Sequence, residues 1–380
     1  MRTQKMKTAV LGCGAISDAY LSTMINKFQV LDVVGCCDRN RDEAVKKAEE
    51  YGISAMTMEE LLSDASVELV INLTPASAHY ETTRMLLNAG KHVYSEKTLA
   101  VDLEKAAELV SLAKEKNLYL GCAPDTFLGA AVQTARYAVE SGLIGQVSSF
   151  TASLTRDYRW FLGTSPACTR KGWGIAFDVG IYYVTALLSI LGPVKTVSGM
   201  METRDAVGTI RTPNHMGEAY TMECENIAAG TLKLDSGVIG TLLFDSNSVL
   251  TMPERPVMVL YGTEGILYMS DPNLFGGQVK VLIKGNSEPS VLPQSHPFET
   301  ESRGLGAAEM AWSIRLGRKH RASQDMAYHA LEVLCGIAVS GETGRQYQVQ
   351  STFEKHPALP RGYKNIAPEM QDTEEYALLF

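Results

Sequence analysis

The stretch KTAVLGCGAISDAY, residues 7–20, joins an apolar run to two glycines one residue apart and then a small polar residue. The residues of this turn are Gly12, Gly14, Ala15, Ile16 and Ser17, the last in the place of a usual third glycine. A buried strand that ends in such a turn can present the first amides of a helix to a phosphate group, and glycine lets backbone and ligand approach closely. The stretch therefore predicts a strand, a phosphate-binding turn and a helix.

Outward from this turn, apolar runs of strand length alternate with segments of helical period as far as residue 122. The helices are predicted over residues 17–28, 41–51, 78–89 and 103–116. Alternation of this kind builds a parallel, doubly wound sheet. We assign residues 1–124 to this α/β domain.

A different pattern begins near residue 147, where longer segments alternate apolar and polar residues. Asp235-Ser236-Gly237 and Thr263-Glu264-Gly265 have the composition of hairpin turns. Residues 125–380 are therefore predicted to form an α+β domain with a large, mainly antiparallel, open-faced sheet. Its helices are predicted over residues 125–140, with Asp125 as the cap, and over 175–191, 303–318 and 323–341.

The composition excludes several classes of protein. A net charge of −8 over 380 residues, with no basic aromatic face, argues against a nucleic-acid partner.

The seven cysteines and seven histidines lack metal-ligand spacing, so no metal is expected. The cysteines are typical of buried free thiols in a reducing compartment. The N-terminus is too short and polar for a signal peptide, and no apolar run is long enough for a membrane helix. We expect a cytoplasmic protein.

Asp38 supports the interpretation of the opening turn. It ends the second predicted strand, VVGCCD, where a carboxylate can accept both hydroxyls of an adenosine ribose and repels a 2′-phosphate. Arg39, which follows, can stack on adenine or pair with a phosphate. The turn and Asp38 together predict dinucleotide binding, with NAD favoured over NADP.

Two further segments follow strands of the predicted parallel sheet. Thr74 and Pro75 come at the end of the fourth strand, where ligands of such sheets bind, and His79 lies one helical turn on. Glu96 and Lys97 end the next strand. A lysine there can bridge the nicotinamide ribose and a substrate hydroxyl, because its positive charge stabilises alkoxide character.

Asp178 and Tyr182 lie four residues apart in the apolar segment KGWGIAFDVGIYYVTALLSILG, hence on one face of a helix. A phenol beside an ammonium or a nicotinamide cation has its pKa lowered toward working pH. Tyr182 could then take the substrate proton while Asp178 fixes Lys97 or the substrate. We therefore expect Lys97, Asp178 and Tyr182 around one carbinol.

The stretches GCGAIS, LTPASAHYE, AGKHVYSEKTLA and GIAFDVGIYYVTALLSILGPV give the chain a resemblance to the Gfo/Idh/MocA family, the glucose–fructose oxidoreductase and inositol dehydrogenase type. The resemblance implies a Rossmann domain followed by the α+β domain. It carries the central lysine of the family's Glu-Lys-Pro motif onto Lys97, with Thr98 in place of proline. The Asp-x-Gly-x-His motif maps onto residues 178–182 with Tyr182 in place of histidine, which leaves the base open between Tyr182 and Lys97.

The resemblance implies an NAD(P)-dependent dehydrogenase that oxidises a secondary hydroxyl of a sugar, cyclitol or glycoside. CAPDTFLGAAVQTAR, residues 122–136, resembles a branch that acts on glycosides, some of them at C3. Two alternatives remain: an NAD-dependent redox-assisted glycosidase, and a non-catalytic NAD(P)-binding sensor. The resemblance also implies a homodimer or homotetramer.

Substrate contacts are expected from the polar and aromatic loop TRDYRWFLGTSPACTRKGWG, because such side chains bond hydroxyls and stack on sugar rings. His215 precedes a predicted strand that can border the same cleft. The predicted substrate-binding residues are Arg156, Asp157, Tyr158, Trp160 and His215.

Overall fold

A computed structural model of the chain describes residues 4–248, 257–361 and 363. Six strands near the N-terminus form one sheet: Met6–Leu11 (β1), Leu31–Cys37 (β2), Ser54–Met56 (β3), Leu69–Asn72 (β4), His92–Ser95 (β5) and Leu120–Cys122 (β6). The strand order is β3-β2-β1-β4-β5-β6, and every neighbouring pair is parallel. This order, which reverses at β1, confirms the predicted doubly wound sheet.

The helices after these strands are Ser17–Lys27 (α1), Arg41–Tyr51 (α2), Met58–Ser63 (α3), His79–Asn88 (α4) and Leu103–Glu115 (α5). All but α3 lie where the sequence predicts a helix. Local signals define their ends. Asn40 caps α2 by accepting the Asp42 amide, and Thr57 and Glu60 form a capping box at α3. All four residues of β4 are buried, as expected for a strand covered on both faces.

The remaining strands are Val147–Thr155 (β7), Val194–Glu202 (β8), Val207–Thr209 (β9), Ala219–Thr221 (β10), Ile227–Leu234 (β11), Ile239–Asp245 (β12), Met258–Gly262 (β13), Gly265–Met269 (β14), Val279–Ile283 (β15), Ser290–Val291 (β16) and Tyr347–Gln348 (β17). Strands β9 and β10 form a separate ribbon, and the others form a sheet ordered β16-β15-β14-β13-β7-β12-β11-β8-β17. Its pairs are antiparallel except β7 with β12. Both predicted hairpins are present, and the sheet is mainly antiparallel as predicted. Strand β12 alternates exposed and buried residues, so this sheet has one open face.

The later helices are Ala130–Glu140 (α6), Ile181–Leu191 (α7), Leu305–Leu316 (α8) and Gln324–Thr343 (α9). The prediction that Asp125 caps the helix through residue 140 is wrong, because α6 begins only at Ala130. The Asp125 carboxylate instead accepts the backbone N–H groups of Gly304 and Gly306 at 2.9 and 3.0 Å, at the start of α8. The buried Asp125 carboxylate makes no cap bond to the segment that follows it and instead accepts amides at the N-terminus of a helix distant in sequence.

The described residues divide into two compact units. The first contains residues 4–129, 296–328, 356–361 and 363, and the second contains residues 130–248, 257–295 and 329–355. The division of the chain into domains of residues 1–124 and 125–380 stays a prediction. Across the helices that the structure describes, none combines the length and the apolar character that crossing a bilayer requires.

Candidate active site

The turn after β1 has the geometry that a bound diphosphate needs. Gly12 has φ of +104°, and a Cβ atom there would lie 2.7 Å from the carbonyl carbon of Leu73, so only glycine fits. At Gly14 nothing lies within 4 Å of the position a Cβ atom would take. Helix α1 then starts without a side-chain cap, and the Ser17 N–H donates to the Gly14 oxygen at 3.0 Å, so an anion here would meet the amides that follow Ser17.

Asp38, directly after β2, faces this turn. One carboxylate oxygen accepts the backbone N–H of Cys13 at 2.7 Å, and the other accepts that of Asn40 at 2.8 Å. A carboxylate offers about four acceptor positions, so capacity remains for the hydroxyls of a ribose. Arg39 is exposed beside it. The residues present therefore fit an adenine dinucleotide at this edge of the sheet.

The loop after β4 is tied to the loop after β5 by His79. Its ring nitrogens lie 2.6 Å from the backbone oxygen of Thr98 and 2.6 Å from that of Thr74. The ring is 1% exposed, and burial lowers the pKa of His79. Both ring nitrogens contact backbone oxygens, so the ring joins the two loops. Contact of His79 with a cofactor stays a prediction. Thr74 is half-buried and Pro75 is exposed.

Glu96 orients the segment that contains Lys97. One oxygen of its carboxylate accepts a hydrogen bond of 2.7 Å from the Tyr20 hydroxyl, and the other accepts one of 3.0 Å from the Lys97 backbone N–H. Tyr20 lies on α1, so this bond connects the helix of the phosphate turn to the lysine segment. Sequence reasoning missed Tyr20, whose only signal was a tyrosine within an amphipathic helix. The peptide bond between Lys97 and Thr98 is cis.

The predicted cofactor residues thus lie in the first compact unit, after the carboxyl ends of four neighbouring strands of one sheet. They are Gly12, Gly14, Ala15, Ile16, Asp38, Arg39, Thr74, Pro75, His79, Glu96 and Lys97. In the part of the chain that the structure describes, no three His, Cys, Asp or Glu side chains group as a metal site requires.

Asp178 lies in the second unit, on a π-helical turn, Ala176–Gly180, that leads into α7. Its carboxylate accepts a hydrogen bond of 2.6 Å from the Tyr158 hydroxyl, and the Cys168 thiol lies 3.9 Å from the same oxygen. Tyr182 follows in the first turn of α7 and is 7% exposed. The structure brings the buried Tyr158 side chain onto Asp178, and its predicted contact with substrate stays a prediction.

Arg156 and Asp157 directly precede Tyr158 in the loop that is predicted to bind substrate. The Asp157 carboxylate accepts two hydrogen bonds from the Arg159 guanidinium, at 2.7 and 2.9 Å, and one from the Arg211 guanidinium at 3.1 Å. The guanidinium of Arg156 lies over the Phe161 ring at 5.6 Å. Asp157 therefore shapes the loop by holding two arginines.

Trp160 is the exposed member of the predicted substrate set, at 52%. His215 is half-buried, and its Nδ1 lies 3.1 Å from the Glu218 carboxylate. Its ring packs near Gly163, which belongs to the loop that contains Trp160. Substrate binding by these residues stays a prediction.

Two family profiles match the chain. Residues 6–123 match the profile described as oxidoreductase family, NAD-binding Rossmann fold, and residues 132–268 match the GFO/IDH/MocA C-terminal domain. The D-glucoside 3-dehydrogenase of Escherichia coli is 25% identical over 273 residues, which cover 68% of this chain and 74% of that protein. A solved structure of levoglucosan dehydrogenase with NADH and levoglucosan has a TM-score of 0.78 at 17% identity, covering 92% of this chain and 100% of that one. This last likeness concerns the fold.

Other matches are partial. An uncharacterized oxidoreductase of Schizosaccharomyces pombe is 30% identical over 206 residues, 52% of this chain and 55% of that protein, and a second from the same organism is covered over 58% of its length. The chain thus spans little more than half the length of these two relatives. The two profiles together nevertheless cover the Rossmann sheet and most of the second unit, and the chain belongs to the Gfo/Idh/MocA oxidoreductase family.

Proposed function

We propose that the protein is an NAD(H)-dependent oxidoreductase that oxidises a secondary hydroxyl of a sugar, cyclitol or glycoside to the ketone, or reduces the matching ketone. The observation that supports this best is the position of Lys97. Glu96 holds the lysine segment at the same sheet edge as the glycine turn and Asp38. A cation at that edge suits chemistry on a carbinol next to a bound dinucleotide. The likeness to a D-glucoside 3-dehydrogenase supports a glycoside oxidised at C3.

The proposed cofactor is NAD, held by the residues of the first unit. The turn at Gly12 and Gly14 would bind the diphosphate, Asp38 the adenosine ribose, and Thr74 the diphosphate or the nicotinamide ribose. When bound, the nicotinamide supplies the two-electron redox chemistry. Asp38 favours NAD because its negative charge repels a 2′-phosphate.

The proposed catalytic residues are Lys97, Asp178 and Tyr182. The Lys97 ammonium stabilises negative charge on the substrate oxygen. If Tyr182 is the base, its phenolate takes the hydroxyl proton; if Lys97 is the base, its neutral amine takes that proton and becomes the ammonium. Asp178 orients Lys97 or the substrate. Because burial and then the Asp178 charge raise the pKa of Tyr158 well above its ordinary value, Tyr158 stays protonated and serves as a donor to Asp178.

The experiment that tests this function is a panel of sugars, inositols and glycosides offered with NAD and with NADP. Formation of reduced nicotinamide in step with a ketone supports the proposal. Cleavage of an aryl glycoside with no net NADH, on tightly retained NAD, would instead favour a redox-assisted glycosidase. Binding of NAD without turnover of any compound would favour a sensor.

Lys97→Ala identifies the catalytic centre within that experiment. We expect NAD affinity to be retained and turnover to fall roughly 10²- to 10⁴-fold, as for loss of an acid–base or electrostatic group. Lys97→Arg is the matched variant, since it keeps the charge but not the compact ammonium. Full activity of Lys97→Ala would make the catalytic assignment wrong.

We also propose that the protein forms a homodimer or homotetramer through the open face of its large sheet. Met200, Ala229 and Leu243 stand side by side on β8, β11 and β12. Met200 is 60% and Leu243 is 43% exposed, and Ile239 on the same face of β12 is 47% exposed. An exposed apolar row across three neighbouring strands suits a second copy of the chain. Light scattering of wild type and Leu243→Lys tests this, with a shift to monomer expected for the variant.

A further inference from the structure

Glu225 lies where the segment leading into β11 meets the turn that contains Asp178. Its backbone oxygen accepts the Ile175 N–H at 3.3 Å, and its carboxylate accepts the Ala176 N–H at 3.2 Å. These two consecutive amides begin the helical segment of Asp178, so Glu225 acts as its cap from a distance of about fifty residues in sequence.

The absence of a side chain at residue 174 makes room for this cap. A Cβ atom on Gly174 would lie 2.0 Å from the carboxyl carbon and from both carboxylate oxygens of Glu225. Gly174 has no positive φ that would otherwise require glycine, so its role here is space. The Asp178 N–H donates to the Gly174 oxygen at 2.8 Å, which links Gly174, Glu225 and Asp178 in one turn.

Glu223 and Cys224, which precede Glu225, hydrogen-bond to the loop segment that contains Cys168 and packs beside Asp178. The Glu223 N–H donates to the Thr169 oxygen at 2.6 Å, and the Cys224 thiol donates to the Cys168 oxygen at 3.3 Å. Cys168 in turn approaches the Asp178 carboxylate. Residues 223–225 therefore contact both the turn that contains Asp178 and the loop that packs beside it.

We propose that Glu225 is a positioning residue for Asp178, because its carboxylate caps the turn from which Asp178 reaches Tyr158. The expected effect of Glu225 on catalysis rests on the proposed function, whereas its expected effect on the structure of the turn does not. Burial and the Asp178 charge raise the pKa of Glu225 to about 7, so a carboxyl group is kept here at an electrostatic cost. Such a cost is expected where geometry matters more than stability.

The structural readout is hydrogen exchange of the peptide over residues 174–182 in the protein without substrate. We expect Glu225→Ala and Gly174→Ala to exchange about tenfold faster than wild type, since each removes or displaces the cap. Glu225→Gln keeps an acceptor oxygen and should restore protection. Glu223→Gln, a neighbouring exposed acidic residue, is the matched control and should match wild type. Unchanged exchange in Glu225→Ala would overturn the proposal.

A crystal structure of Glu225→Ala tests the positioning directly. We expect the Tyr158 to Asp178 hydrogen bond, 2.6 Å here, to lengthen or break. An unaltered bond would overturn the proposal even if no substrate were known. These two results stand whether or not any sugar is oxidised, so failure of the proposed function is distinguishable from failure of this inference.

With a substrate in hand, kinetics provide the third readout. We expect Glu225→Ala to lower kcat about 10- to 100-fold with little change in KM, because a small displacement of an active-site group weakens catalysis more than binding. Gly174→Ala should cost a similar factor alone and nothing more when added to Glu225→Ala, since the space is then vacant. An unchanged kcat in Glu225→Ala, or additive losses in the double variant, would contradict the proposal.

Discussion

The Tyr158 hydroxyl donates a 2.6 Å hydrogen bond to the Asp178 carboxylate, across twenty residues of sequence. Asp178 is also approached by the Cys168 thiol, and its turn is capped by Glu225. A carboxylate held on several sides adopts one orientation without substrate, which lowers the reorganisation that catalysis needs. The loop that is predicted to bind substrate therefore also supports the proposed catalytic group.

Tyr158→Phe tests this support. Removing a donor to a charged group should lower kcat roughly 10- to 100-fold. Because Tyr158 stays protonated, the number of ionisations in the pH profile should not change. The control is Cys168→Ala, a weak donor at 3.9 Å, for which we expect less than about a threefold effect. Equal activity of Tyr158→Phe and wild type in steady-state assays would show that the hydroxyl is not needed.

Asp38 provides a prediction about the cofactor. Asp38→Asn keeps an acceptor oxygen for one of the two amides, those of Cys13 and Asn40, and removes the charge that repels a 2′-phosphate. We expect the preference for NAD over NADP, measured as the ratio of kcat/KM values, to fall at least about tenfold. Asp32→Asn, an exposed aspartate on the same strand, should leave the ratio unchanged. A preference that does not move would remove Asp38 from the ribose site.

Much of the fold could be predicted from periodicity, because short apolar runs and helical segments report local structure. The strands of the first sheet other than the three-residue β3, both hairpins of the second and the helix after Gly180 are found where the sequence indicated. These features depend on neighbours within about ten residues. Their recognition therefore needed no knowledge of long-range packing.

The partners of the polar side chains could not be predicted in that way. Asp125 bonds to amides 179 and 181 residues away, and Tyr20 reaches Glu96 across 76 residues. Asp125 precedes a helix and has the composition of a cap, yet the tertiary fold supplies other amides. Likewise nothing local distinguished Glu225 from Glu223, although one is a cap and the other is exposed. Motifs in the sequence predicted the site residues, but no local pattern indicated the residues that hold them in place.

The buried Glu309 provides a prediction about stability in the first unit. Its carboxylate, fully buried, pairs with Arg321 at 2.6 Å and with Arg318 at 2.5 Å, and accepts the Arg321 backbone N–H at 2.8 Å. Glu309→Ala leaves the two guanidinium groups without this partner, so we expect a loss of about 3–5 kcal/mol in the free energy of unfolding. Denaturant titration measures it. Glu264→Ala, which removes an exposed ion pair with Lys284, should change little, and a similarly small effect for Glu309 would contradict the prediction.

His329 provides a prediction about pH in the second unit. Its Nε2 accepts the Val194 N–H at 2.9 Å, so the neutral ring must hold its proton on Nδ1, which faces Ser351. Burial lowers the pKa of His329 to about 4 from an ordinary 6.5. Between these values the unfolded chain binds about one proton more than the folded protein. Stability from this group is therefore complete above pH 6.5 and is lost as pH falls toward 4.

His329→Gln removes this titration while its side-chain oxygen can still accept the Val194 N–H. As pH falls below 6.5, wild type should lose up to about 1.4 kcal/mol per pH unit more than His329→Gln, as measured by urea unfolding at each pH. Phe353→Leu is the matched control, because Phe353 packs on the His329 ring at 5.3 Å and does not titrate. It should lower stability at every pH and keep the wild-type slope. Parallel curves for wild type and His329→Gln would mean that His329 is not held neutral by its burial against Val194.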